Sequence, residues 1–196
     1  MSGAVAAASP WVLRWAHLIA PNGRVLDVAA GSGRHTRWLA GHGHAVTAID
    51  RDAAAMQALA DCAETIVADI ELGPWPLAGR SFDAVLVTNY LWRPLLPAIV
   101  AATGAGGILV YETFATGNES VGRPSRPDFL LAHGELLRAV AGLRIVAYED
   151  GFLDDPDRFV QRIVAVREPT AGSPARYPLA GPTRAGVDGG SLESTG

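Results

Sequence analysis

The chain contains no lysine: all of its 16 cationic side chains are arginines. A pyridoxal Schiff base, a lysine general base and the lysine of a phosphate-binding loop are therefore all excluded. Cysteine is almost as scarce. The one copy, Cys62, cannot form an intrachain disulfide, which fits a reducing compartment and a small apolar role. No stretch approaches the roughly 18 uninterrupted apolar residues of a membrane span, and no charged leader precedes an apolar segment. A cytoplasmic protein without a membrane partner is expected. A surplus of positive charge is also missing, since the formal net charge is -4 and the arginines are scattered. Such a chain has no long-range pull on a polyanion, so nucleic acid is not an expected partner.

What is present is 196 residues at 49% apolar composition, enough for one domain with a real core and too few for two. Ser9 before Pro10 reads as a helix cap, with Trp11, Leu13, Trp15, Leu18 and Ile19 at near-helical spacing up to Pro21. Residues 1–23 are thus expected to form a capping helix. Beyond it strands and helices alternate. Strands are expected at Arg24–Val28, Ala45–Ile49, Glu64–Ala68, Phe82–Thr88 and Gly107–Thr113, with helices at Gly33–Ala40, Ala53–Ala60, Leu95–Ala102 and Gly134–Val140. Such alternation indicates a parallel sheet wound with helices on both faces. The stretch "IELGPWPLAGRS" holds two prolines and two glycines, so that crossover is a loop. The runs Leu143–Glu149 and Arg158–Val166 are too close for a parallel crossover and must pair antiparallel. From residue 169 to 196 the chain is dominated by Gly, Pro, Ala, Ser and Thr, the composition of a disordered tail.

Chemistry concentrates in "VLDVAAGSGRHT". Val25, Leu26 and Val28 suit a buried strand, and Gly31 and Gly33 allow a tight turn with backbone close to a ligand at the start of the next helix. A dinucleotide fingerprint wants a third glycine at position 36, where this chain has Thr36. Asp27, just before the turn, would repel a pyrophosphate and attract an ammonium group. Asp50 closes the next strand about twenty residues on, where a carboxylate can accept both hydroxyls of a ribose. Asp69 closes the third and can accept from an adenine amino group. Three acids on one sheet edge suit an adenosyl ligand carrying an amino acid, S-adenosylmethionine. Ala29, His35, Arg51, Ile70 and Asn89, beside these positions or on the same edge, complete the expected cofactor set. Each acid also has a plainer role open to it: Asp27 as a cap of the turn, Asp50 as a helix cap, Asp69 as a loop support.

"VLDVAAGSGRHT", "AID", "ADIE" and "FDAVLVTNYL" resemble, in order and spacing, the successive motifs of the class I S-adenosylmethionine-dependent methyltransferases. The resemblance covers residues 24–168 and departs at Ala29, where the family often has glycine. It implies an α/β, Rossmann-like doubly wound sheet of about seven strands with the last strand antiparallel, binding S-adenosylmethionine. The downstream stretch "YETFATGNESVGRPSRPDFLLAHGELL" is similar to small bacterial proteins grouped with the tellurite-resistance methyltransferases.

Methyl transfer relies on alignment behind the sulfonium, and a dedicated base matters only if the nucleophile carries its proton. Tyr90 and Glu112, after the fourth and fifth strands, are the candidate bases. Arg123 and Arg126, in the long polar segment 114–128, are candidates to hold an anionic group. Their alternative is pairing with Glu119 and Asp128 in solvent. "TNYLWRP" lacks the double proline of enzymes that methylate base amines, so a small-molecule acceptor is expected, with a thiol or a chalcogen oxyanion as soft candidates. His42 and His44 sit in a turn on the opposite edge, and no metal is expected. Two rival readings remain: a nicotinamide oxidoreductase on the same topology, and a non-catalytic S-adenosylmethionine-binding module.

Overall fold

The computed structural model describes residues 7–170 and 175–181. Helix α1 (Pro10–Trp15) is capped by the Ser9 hydroxyl, which accepts from the Trp11 amide. It leads into β1 (Arg24–Val28), α2 (Arg34–Gly41), β2 (Ala45–Asp50), α3 (Ala53–Gln57) and β3 (Glu64–Val67). After the crossover loop come β4 (Phe82–Thr88), α4 (Leu96–Ala102), β5 (Thr103–Phe114), α5 (Glu135–Ala139), β6 (Arg144–Asp154) and β7 (Asp157–Val166).

These strands form one seven-stranded sheet in the order β3-β2-β1-β4-β5-β7-β6. The pairs from β3 to β5 are parallel, and β7 runs antiparallel to both β5 and β6. The doubly wound sheet implied by the motifs is therefore present, last strand included. Alternation along β1 sends Leu26 and Val28 into the layer under α4 and α5, with Ile99 and Leu136, and sends Val25 to the layer holding Leu39 of α2 and the two tryptophans of α1. Because β1 lies between β2 and β4, the strand order reverses beside it. A crevice at the carboxyl ends of the strands follows from that reversal.

The structure moves several boundaries. Helix α3 stops at Gln57 rather than Ala60, and successive turns bring the chain back to β3 with Leu59 fully buried. Strand β5 starts at Thr103 rather than Gly107, pairing with Phe82 through a register shift. Glycine permits that close passage, since a Cβ on Gly107 would lie 2.7 Å from the Phe82 carbonyl oxygen. The closing hairpin also runs further, to Asp154 and from Asp157, with Phe152 opposite Phe159 at 5.0 Å between ring centroids. That aromatic pair extends the ladder through a segment whose acids and proline read as a loop.

Of the tail expected over 169–196, residues 171–174 and 182–196 lie outside the described residues. Within 175–181, the Tyr177 ring lies under the Arg144 guanidinium at 5.2 Å, and the Pro178 carbonyl is 2.9 Å from His17 Nε2. Among the described residues no helix is long and apolar enough to cross a membrane.

Candidate functional site

The turn after β1 is left-handed at three places: Ala29 (φ +54°), Gly31 (φ +54°) and Gly33 (φ +79°). The two glycines meet this requirement without strain, whereas an alanine in that region costs about 1–2 kcal/mol. Ala29→Gly is therefore expected to raise the folding free energy by about 1 kcal/mol, after allowance for the looser unfolded chain. Urea denaturation checks it. A Cβ on Gly31 would meet nothing within 4 Å, so this glycine opens onto free space. Gly33 is different: a Cβ there would fall 2.3 Å from the Leu59 side chain.

The Gly31 N–H donates to Asp50 Oδ2 at 2.9 Å, and the Asp52 N–H donates to Asp50 Oδ1 at 3.0 Å. Asp50 thus ties the glycine turn to the tip of β2. It does not cap α3, because Asp52 accepts from the Ala54 and Ala55 amides. Asp69 Oδ1 accepts from the Glu71 and Leu72 amides, which uses one oxygen in the loop. Both carboxylates line a cleft of ≈140 Å³, together with Ala29, Arg51, Ile70 and Tyr90. Ala68 and Glu71 also line it, and neither is among the residues expected from the sequence.

Asp27 lies beneath the turn rather than on the cleft. It is buried and accepts from the Thr36 hydroxyl at 2.6 Å. Burial pushes its carboxyl up to about 6, against the lowering effects of Thr36 and Arg34. Thr36, the departure from a dinucleotide pattern, is the residue that latches this acid. His35 is buried as well. Its Nε2 accepts from the Ser9 amide at 3.1 Å, leaving Nδ1 as the protonated nitrogen, 3.4 Å from the Thr88 hydroxyl. Burial, then Arg34, lowers its pKa to about 4, so the ring is neutral at pH 7.

Glu112 proves unsuited to the base role considered for it. Its Oε1 accepts from the Ser9 hydroxyl at 2.7 Å and its Oε2 lies 3.4 Å from Arg162, in a buried network under α1. The arginine pair also departs from expectation. Arg126 is bonded to Asp128 at 2.8 Å on an exposed surface, and Arg123 is exposed and lines neither of the two clefts at the site. Asn89, left-handed at φ +54°, falls on a second cleft of ≈290 Å³. Tyr90 and Glu71 are walls common to both clefts. The Tyr90 hydroxyl is buried without a partner, and its pKa is raised by burial and then by Glu71, Asp69 and Asp50.

The histidines of "GHGH" lie on the opposite edge: His42 Nδ1 is 2.7 Å from the Trp38 carbonyl, and its ring stacks on Trp38 at 4.0 Å. Among the described residues no group of three or more His, Cys, Asp or Glu side chains is arranged to hold a metal ion.

Residues 25–105 match the family model described as a methyltransferase domain. The matched segment, under half of the chain, holds the glycine turn and the strand-end acids Asp27, Asp50 and Asp69. No curated protein matches its sequence. Among solved structures, TehB from Haemophilus influenzae aligns with a TM-score of 0.63 and 22% identity, over 78% of this chain and 60% of that one. The present chain thus spans three fifths of that protein. A TehB-like S-adenosylmethionine-dependent methyltransferase from Corynebacterium glutamicum aligns at 0.57 and 22%, over 76% of this chain and 82% of that one. A methyltransferase from Methanosarcina mazei aligns at 0.65 and 15%, over 84% and 100%. At such identities the likeness concerns the fold.

Proposed function

We propose that the chain binds S-adenosylmethionine across the glycine turn and the first cleft, and passes its methyl group to a small molecule presented from the second. The single observation that carries this reading is the convergence of Asp50, Asp69 and Ala29 of the glycine turn on one cleft beside the strand-order reversal, with the Gly31 amide tied to Asp50. The residues fit the cofactor: each Asp50 oxygen keeps a lone pair for a ribose hydroxyl, Asp69 keeps one oxygen for the adenine edge, and the missing Cβ of Gly31 leaves room for close approach. Asp27 adds negative charge beneath the amino-acid end of the ligand.

When bound, S-adenosylmethionine supplies an electrophilic methyl group on a sulfonium. The chain's own contribution is to orient and to exclude water, effects worth ~7–11 kcal/mol when alignment is good. Glu112 is occupied by Ser9 and Arg162, and the raised pKa of Tyr90 keeps its phenol protonated at neutral pH. Neither is a free base, so the reading favours a soft nucleophile whose reacting atom carries no proton or gives it up to solvent. A thiol or a chalcogen oxyanion meets that condition.

Asp50→Ala is expected to weaken cofactor binding by ~1–3 kcal/mol, the cost of orphaned hydrogen-bonding groups. Calorimetry on wild type and variant reads this directly, and unchanged affinity removes Asp50 from the site. The activity itself is tested with methyl-labelled S-adenosylmethionine and a panel of thiols, oxyanions, phenols and amines. Label appearing in a product separated from S-adenosylmethionine, with S-adenosylhomocysteine released, supports methyl transfer. Binding without any transfer supports the non-catalytic module instead.

A further inference from the structure

The second cleft has a chemical character that narrows the acceptor. Its walls include Leu91, Phe114, Pro124 and Phe129, with Tyr90 and Glu71 on the side shared with the cofactor cleft. Among the described residues that line it there is no arginine or histidine, and the one charged side chain is the Glu71 carboxylate. The cations of the adjoining loop stand elsewhere. Arg126 is held by Asp128 and lies over the Phe129 ring at 5.3 Å, and Arg93 is bonded to Glu135 and to the Asp128 and Leu130 carbonyls.

On the methyltransferase reading given above, we infer that the acceptor enters this cleft as an uncharged, apolar molecule, and that Glu71 is the specificity-determining residue that turns anions away. An anion placed here would leave water without gaining a cation from the cleft's own walls, and would stand against Glu71, with Asp69, Asp50 and Arg51 on the neighbouring cleft. A neutral apolar body loses little on entering and gains contact with the Phe114 and Phe129 rings. Tyr90, whose hydroxyl has no partner among the described residues, walls the cleft on the cofactor side. Of the two soft acceptors considered above, the geometry favours an apolar thiol and disfavours a chalcogen oxyanion: the thiol enters protonated and gives its S–H proton to solvent, its new S–CH3 bond forming as the methyl–sulfonium bond breaks.

The test is equilibrium binding by calorimetry, with and without S-adenosylhomocysteine, a ligand with no methyl group to transfer. The probes are benzyl mercaptan, 4-(mercaptomethyl)benzoate, which has the same body with one negative charge, and selenite. Benzyl mercaptan is expected to bind at least tenfold more tightly than the carboxylate and selenite to give no heat. Glu71→Gln is expected to bring the two thiols within about threefold of each other. Equal or tighter binding of the carboxylate or of selenite overturns the inference, as does failure of both thiols to bind. The S-adenosylhomocysteine titration stands apart: its failure sinks the methyltransferase reading, while the preference between the two thiols is still read on the protein alone.

Discussion

Gly33→Ala is expected to cost about 2–5 kcal/mol of folding stability, combining about 1–2 for a side chain in the left-handed region with about 1–3 for overpacking. Two features of one residue set this figure. Its φ of +79° penalises any L side chain, and the added Cβ would lie within 2.3–2.9 Å of three carbons of Leu59. Leu59 cannot swing aside cheaply, because it is fully buried against Ala48 and Met56 under α3. Gly31→Ala is the control. It carries a positive φ but meets nothing within 4 Å, so its cost is the backbone penalty alone, about 1–2 kcal/mol. A double-mutant cycle with Leu59→Ala separates the two terms in Gly33→Ala. Urea melts are expected to show a favourable coupling above ~1 kcal/mol, since the smaller side chain makes room for the new methyl group. An additive pair would mean that the turn yields instead of the core.

The second large effect concerns pH, where two buried groups under the same turn work against each other. The Asp27 carboxyl is raised from 3.8 to about 6 in the folded chain, so between those values the folded state holds more protons than the unfolded one. Its contribution is fully present below pH 4 and is lost as pH rises through 6, to the extent of about 3 kcal/mol. His35 is lowered from 6.5 to about 4, so over nearly the same window the unfolded state holds the extra proton. Its contribution is present above pH 6.5 and is lost as pH falls through 4, again by about 3 kcal/mol. From pH 4 to 6.5 these two contributions nearly cancel in the wild-type protein, and the slope left is the loss at falling pH from His44, which burial and then His42 hold below the usual imidazole value. Asp27→Asn keeps an acceptor for Thr36 and unmasks the histidine, so its stability should climb with pH across the window. His35→Gln keeps an acceptor for the Ser9 amide and unmasks the acid, so its stability should decline. Glu64, lowered from 4.5 to about 2 by its bonds to Arg80 and then Thr47, adds a loss of stability only at the acid end of the window, as pH falls below 4.5. Denaturant midpoints of the three proteins at half-unit pH steps measure the slopes. Parallel curves would show that neither group is perturbed as its surroundings require.

The succession of strands and helices and the antiparallel closing hairpin were legible because local signals carry them. Apolar runs ending in Asp27, Asp50 and Asp69 mark strand tips, and turn-rich gaps of fixed length mark parallel or antiparallel return. The floor of the first cleft was legible for the same reason, since Asp50, Asp69 and Ile70 sit at ends of segments that sequence delimits well. What escaped depends on partners distant in the chain. Glu112 looks like a free acid at a strand end until the fold brings Ser9 and Arg162 to it from 103 and 50 positions away. Glu71 looks like a loop charge, yet the crossover folds it between two clefts. Thr36 read as a missing glycine, and only the turn of α2 over β1 shows that its hydroxyl is the latch on Asp27. The arginines of the polar loop were legible in their plainer form, because Asp128 stands two residues from Arg126 and needs no fold to find it.

The central claim is that the edge holding Asp50, Asp69 and the Gly31 turn is built for one adenosyl ligand with a cationic amino-acid end. Calorimetric titration of the purified protein with S-adenosylmethionine, and separately with a nicotinamide dinucleotide, tests it most directly. Saturable binding of S-adenosylmethionine at one site per chain, weakened by Asp50→Ala, is expected, with no heat from the dinucleotide. Tight binding of the dinucleotide with no response to S-adenosylmethionine would contradict it.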